Sequence, residues 1–324
     1  MNHLSDEFLG RVKRAYRLSI QDWPGINHFF WGGIYERQRP IHDALMADDY
    51  EGLRRIFANP GATDLYYGVD GLFAEALSTT VLDGISRDVC EKLLGNAIRI
   101  MGTDDIEFPN PFPGEMGFPT PRGIASERAI NAAFQAWTIQ RILGQSSSRK
   151  VVEIGPGMGR TAYYAFKYGI DYTTIDLPMG VVAQACFLGA TLGPSHVWLI
   201  GDPPMPGAIR LFPTSRPLPA ERFDLALNSD SLTEMSHGAA ADYVAWIGAQ
   251  AAQFLSINHL MNDIKAATIC DRYLNATTVR REDYPLRPGY LIEHYAIEGL
   301  KPGFRHRYRV HRAWDSVKYR LGYR

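Results

Sequence analysis

Three groups of residues along this chain have the types and spacing to do chemistry. The first is Glu153-Ile154-Gly155-Pro156-Gly157-Met158-Gly159-Arg160, which continues a hydrophobic run from Val151. Glycines at alternate positions let the backbone take positive φ and let a flat, polar ligand lie directly against it. Such a turn between a strand and a helix suits two cofactor classes, dinucleotides and S-adenosylmethionine. A dinucleotide pattern places its third glycine three residues after the second, where the pyrophosphate meets a helix N-terminus. Arg160 holds that place here, and Gly159 stands one residue earlier. Glu153 would also repel a diphosphate, whereas it suits a cationic methionine end. The second group is Asp176 with Leu177, at the end of the next β-rich run, where a carboxylate can accept hydrogen bonds from both hydroxyls of a ribose. That contact fits a nucleoside of either cofactor. Asp202, which ends the run after it, is placed to accept a hydrogen bond from an adenine amino group.

The third group is polar and dense: Asn228, Asp230, Glu234 and His237 after one hydrophobic run, then Asn258, His259, Asn262 and Asp263 after another. Histidine is the natural base near neutral pH, and His259 or His237 could serve, with His259 favoured. Asp230 and Glu234 lie four apart, so on a helical turn they would share a face and could orient a base, bind hydroxyls or ligate a metal. Asp230 with Asp263 makes a hard oxygen set that would suit magnesium. A solvated helix N-cap explains Asp230 as well.

These groups require strands that end where the residues stand. Val151–Ile154, Tyr172–Asp176, His196–Ile200, Phe223–Asn228 and Phe254–Asn258 read as strands, with helical stretches such as Met179–Leu192 between them. Strand and helix alternate as a parallel sheet demands, and reactive residues then collect at the carboxyl ends of the strands. The expected class is α/β, a doubly wound Rossmann-like sheet with an antiparallel C-terminal finish. Tyr290–Ile297 and Arg307–Trp314 supply that finish.

Glu153-Ile154-Gly155-Pro156-Gly157-Met158-Gly159, Ile175-Asp176-Leu177-Pro178 and above all Asn228-Ser229-Asp230-Ser231-Leu232-Thr233-Glu234-Met235 resemble S-adenosylmethionine-dependent methyltransferases of the Rossmann-like class. Within that class the chain resembles the bacterial sugar O-methyltransferases, over residues 110 to 260 most clearly. The resemblance implies S-adenosylmethionine as cofactor, a sugar or oligosaccharide as acceptor, and N-terminal helices that cover the cofactor. It implies cofactor contacts at Glu153, Gly155, Gly157, Gly159, Asp176, Leu177, Asp202 and Asn228. Methyl transfer to a hydroxyl is an in-line displacement that must also shed a proton, so His259 or His237, with Asp230 and Glu234, would form the base, with room for magnesium. Asp202-Pro203-Pro204-Met205 mimics a motif of amino-group methyltransferases, but it follows the third strand rather than the fourth. Methylation of another small-molecule hydroxyl, or a non-catalytic module of the same fold, are the competing readings.

The rest of the chain sets limits. It has 324 residues, 46% of them hydrophobic, and a formal net charge of −1, which argues against obligate binding to nucleic acid or an anionic membrane. Cys90, Cys186 and Cys270 are scattered and odd in number, which points to a reducing cytoplasm. No window is apolar for long enough to span a membrane. Residues 1–123 read as a helical region and lid, and 124–324 as the cofactor domain, with a homo-oligomer left open. The start is an amphipathic helix, and Gly71–Ile100 reads as helix broken near Gly84. Trp23, His28, Phe29, Phe30, Trp31, Tyr66 and Tyr67 offer a stacking wall for sugars or a set of core residues. Five prolines between Thr103 and Gly123 preclude regular structure. Ser126 should cap a helix to Leu143, Pro203–Pro219 reads as a surface turn, and Asp263–Arg287 as a charged flap. Phe304–Arg312 carries a basic stripe.

Overall fold

The computed structural model describes residues 4–21, 23, 25, 29–67, 79–144 and 148–303. The chain begins with helices α1 (Asp6–Ile20), α2 (Phe29–Arg37), α3 (Arg39–Met46), α4 (Tyr50–Ala58) and α5 (Thr79–Met101). A hairpin, β1 (Phe118–Thr120) and β2 (Gly123–Ala125), leads to α6 (Glu127–Leu143). Strand β3 (Lys150–Ile154) is followed by α7 (Arg160–Lys167), β4 (Asp171–Asp176), α8 (Pro178–Thr191), β5 (Val197–Leu199) and β6 (Ile209–Pro213). Then come β7 (Leu225–Ser229), α9 (His237–Gln250), β8 (Gln253–His259), α10 (Ala266–Tyr273), β9 (Leu274–Asp283) and β10 (Tyr290–Leu300). The class is α/β and Rossmann-like, with parallel strands alternating with helices before an antiparallel end.

Two compact units share the chain. The first comprises Met1–Ser146 and Pro156–Leu218; the second comprises Ser147–Gly155 and Pro219–Arg324. In the first, β6 lies between β4 and β5, and both pairings are parallel. Helix α1 starts at Ser5, whose hydroxyl accepts from the Phe8 amide, and buries Phe8, Leu9, Val12, Ala15 and Tyr16. The Phe8 ring reaches α8 at Gly189, where a Cβ would stand 2.5 Å from it. Only a residue without a side chain lets the two helices approach so closely. In the second unit β3, β7 and β8 are parallel neighbours, and β10 then β9 extend the sheet antiparallel.

Several expectations need correction. Within the residues read as a surface turn, Ile209–Pro213 is a strand whose alternate side chains are buried, because Ile209, Leu211 and Pro213 face inward. The flanking prolines mark its ends, not its absence. The supposed flap is α10 followed by the ten-residue strand β9. Its charged residues are exposed along an outer strand, where β-branched Thr277, Thr278 and Val279 still favour extended backbone. The proline-rich stretch does contain regular structure, since Pro121 and Arg122 form the tip of the β1–β2 hairpin. Helix α5 runs through Gly84 without a break, and the antiparallel finish is made by β10, where Tyr290–Ile297 was expected, together with β9, which was not expected as a strand. Gly71–Ser78, His28, the side chains of Phe29–Trp31, Arg307–Trp314 and the stripe at Phe304–Arg312 lie outside the described residues.

Candidate functional site

All three glycines of the turn take positive φ: Gly155 at 67°, Gly157 at 61° and Gly159 at 89°. An L-residue is disfavoured in that region by about 1–2 kcal/mol, so the spacing is a backbone requirement. Space is a second requirement. A Cβ on Gly155 would meet Ser231 at 2.2 Å, so that side of the turn is filled by protein. Gly159 is the N-cap of α7 and supplies no side-chain cap, and a helix N-terminus is electropositive toward an anionic group.

Arg160, which displaced the dinucleotide glycine, has a structural task. It is 6% exposed, its guanidinium pairs with Glu115 at 2.8 Å, and it lies over the Phe187 ring. Glu115 also accepts from the Ser126 hydroxyl at 2.7 Å and from Asn110 Nδ2 at 2.7 Å. One carboxylate thus ties the proline-rich stretch to the start of α6 and to α7. The sequence places Glu115 in that stretch but carries no signal for its partners.

Asp176 ends β4 in the same unit. Its Oδ1 accepts from the Leu177 amide at 2.7 Å and its Oδ2 from Gln184 Nε2 at 2.8 Å. Gln184 is held in turn by Thr174 at 2.7 Å. Burial pushes the Asp176 carboxyl up to about 7, against the lowering effect of those two donors. The Tyr35 hydroxyl accepts from the Met179 amide in the first turn of α8, beside the acid, and Trp23 packs on the Tyr35 ring at 5.2 Å. Trp23 is therefore a packing residue. Tyr66 packs on Phe112 and Tyr67 lies under Arg37, so these members of the aromatic set are likewise held by protein.

Asp202 is committed elsewhere. Its side chain is 2% exposed and accepts from Arg11 at 2.7 Å, Arg14 at 3.2 Å and the Leu199 amide at 3.0 Å. It also follows β5, which is separated from β4 by β6. The residues that leave the sheet directly beside Asp176 are Thr214 and Ser215. Pro213 pairs with Asp176, and the Thr214 amide donates to the Asp176 carbonyl at 2.7 Å. The Ser215 hydroxyl is buried and meets no partner among the described residues. A buried hydroxyl of this kind is costly unless something completes it. Sequence reasoning missed it because β6 was missed.

In the second unit Glu153 is buried in β3, opposite Leu227 of β7. Asn228 is wholly buried and donates to the Ile154 carbonyl at 3.0 Å; its Oδ1 accepts from the Leu232 amide and from Asn258 Nδ2 at 3.0 Å. Asn258 continues to Ser256 at 2.9 Å and Thr233 at 3.2 Å, and Thr233 accepts from Asn262 at 2.6 Å. The structure therefore brings Asn228, Asn258 and Asn262 together. They form a connected network that pins the strand ends to one another.

Asp230 has φ 64° and pairs with Arg287, which lies 3.9 Å from the centre of the Tyr290 ring. The expected helical face shared by Asp230 and Glu234 does not form. The left-handed residue breaks the chain direction, only Leu232–Glu234 makes a single tight turn, and the next helix is capped by Ser236. Glu234 and Asp263 are exposed. Among the described residues no three His, Cys, Asp or Glu side chains gather closely enough to hold a metal. His259 ends β8 with its ring edge-on to Tyr290, and its Nδ1 accepts from the Met261 amide at 3.0 Å. That donor fixes the neutral ring with its proton on Nε2. His237 is the first residue of α9 and is half-buried.

No family model matches this chain, and no curated protein matches it. Solved structures resemble it distantly. A protein from Pyrococcus horikoshii is 8% identical, covers 52% of this chain and 91% of its own, with a TM-score of 0.40. The glycopeptide N-methyltransferase MtfA is 12% identical, covering 51% of this chain and 90% of its own at a TM-score of 0.38. An O-methyltransferase family 2 protein from Planctomyces limnophilus, in complex with apigenin, is 12% identical and covers 53% and 62% at 0.36. Likenesses this distant carry no argument about chemistry.

Proposed function

We propose that this chain is an S-adenosylmethionine-dependent O-methyltransferase that methylates a sugar hydroxyl. The observation that carries the reading is a turn of three positive-φ glycines entering α7 without a side-chain cap, followed by a carboxylate that burial holds near neutrality at the end of β4. In this reading the N-terminal end of α7 receives the methionine carboxylate, Asp176 receives the ribose hydroxyls, and the Ser215 hydroxyl receives the adenine. A dinucleotide is disfavoured because its third glycine is replaced by an arginine buried on Glu115.

S-adenosylmethionine, when bound, supplies an electrophilic methyl group on a sulfonium. The chain must set an acceptor oxygen in line with it and remove one proton, as the new oxygen–carbon bond forms and the sulfur–carbon bond breaks. Between the two histidines, His237 is assigned to take the proton. His259 presents an N–H at Nε2 and is assigned to donate to an acceptor oxygen.

The test is transfer of a radiolabelled methyl group from S-adenosylmethionine to a panel of sugars, phenols and amines. Label recovered in an alkali-stable ether on a sugar supports the proposal. Label on a phenol would replace the acceptor while keeping the cofactor, and label on an amine or on nothing would refute it.

A further inference from the structure

We propose a second binding site, independent of the methyl-transfer reading, in the cavity between α1 and the turn after α3, where a phosphate-class dianion would bind. The cavity measures about 390 Å³, and the charged side chains around it are Lys13, Arg14, Arg17 and Asp48, three cations against one carboxylate. Gln21 and Tyr50 add neutral polar groups to the wall. The spacing follows from α1, since residues three and four apart share a face and Lys13, Arg14 and Arg17 span one turn.

The decisive feature is the imbalance in the Lys13–Asp48 pair. The Lys13 side chain is 4% exposed, whereas that of Asp48, its partner at 2.7 Å, is 88% exposed. A buried ammonium needs an anion. This one is served by a carboxylate that also pairs with Arg17 at 3.5 Å and is otherwise solvated, so an incoming anion must replace it at both cations. Lys13 has three N–H donors; one meets Asp48, and the ammonium lies 4.6 Å from the Tyr50 ring centre, so donor capacity remains toward the cavity. Arg17 spends two of its nitrogens on the carbonyls of Leu45, Met46 and Ala47, which leaves the third. Arg14 is half-exposed and meets Asp202 through one nitrogen.

A dianion entering the cavity would displace Asp48 and complete Lys13, Arg14 and Arg17 at once. A carboxylate would satisfy one cation, whereas phosphate has the charge and oxygen count for three. The volume exceeds what bare phosphate fills, so both free phosphate and a phosphate ester on a small organic body fit.

The experiment titrates the full chain with inorganic phosphate and, separately, with glucose 1-phosphate by calorimetry, at constant ionic strength set with chloride. It compares the parent with Asp48→Asn, a solvent-exposed change that spares the core. Saturable binding that Asp48→Asn tightens roughly tenfold, the effect of deleting one like charge a few ångströms away, supports the site. Lys13→Met, shown by its melting curve to be folded, should abolish that binding. Tighter binding of glucose 1-phosphate identifies a phosphorylated small molecule as the occupant, and equal binding identifies phosphate itself. Absence of saturable binding by both parent and Asp48→Asn, or equal affinity in the two, overturns the proposal.

Discussion

Asp176 makes the account quantitative. Burial raises its carboxyl from an ordinary 3.8 to about 7 in the folded chain. The folded protein therefore holds a proton that the unfolded chain has lost, and stability is fully present below pH 3.8 and is lost as pH rises through about 7. Each unit is worth about 1.36 kcal/mol, so the full span approaches about 4 kcal/mol, and the part between pH 5 and 8 approaches about 2.7 kcal/mol. Asp176 is half-buried rather than sealed, and we expect about 2 kcal/mol of that part. Asp176→Asn removes the titration while keeping the shape. Its stability relative to the parent should thus rise by about 2 kcal/mol between pH 5 and 8, measured by urea unfolding at each pH. Working with the difference cancels every other titrating group that both proteins share. A difference that stays flat across this range would show the carboxylate to be solvated, and would remove the argument that a ligand's hydroxyls are needed to receive it.

Five further substitutions, in three tests, probe the surroundings. Glu115→Gln leaves Arg160 buried without its anion and should cost about 3 kcal/mol in urea unfolding, and adding Arg160→Met should recover part of that loss. Gly155→Ala meets both a positive φ and Ser231, and should cost about 3 kcal/mol; Ser231→Gly in the same chain should return the steric share, which thermal unfolding can follow. Ser215→Ala should weaken S-adenosylhomocysteine binding by about fivefold, one neutral hydrogen bond, while leaving the melting temperature unchanged or higher. Lower stability with unchanged affinity would make that hydroxyl a packing group.

The parts of the fold that were legible in sequence are those where local chemistry and burial agree. Ser126 does cap α6, the glycines do take the φ values that their spacing demanded, and Asp176 does end a strand. Strand β6 was hidden because prolines bracket a short run, and β9 because an outer strand can be charged along its length. Side-chain partnerships were less legible still. Asn228 was expected to contact the cofactor and Asn258 to belong to a dense polar group, yet their amides bond to one another, to neighbouring side chains and to backbone. Arg287 and Glu115 carry no motif, since an ion pair across tens of residues leaves no spacing to read. His259 could be placed at a strand end from sequence, but only the Met261 amide reveals which ring nitrogen holds the proton.

The most direct test of the central claim is calorimetric titration of the purified chain with S-adenosylhomocysteine, with NADH in a parallel titration and Asp176→Ala as the control. The account predicts saturable binding of one S-adenosylhomocysteine per chain, strong weakening by Asp176→Ala, and no binding of NADH. Binding of NADH in place of S-adenosylhomocysteine, or binding of neither by the folded protein, would contradict it.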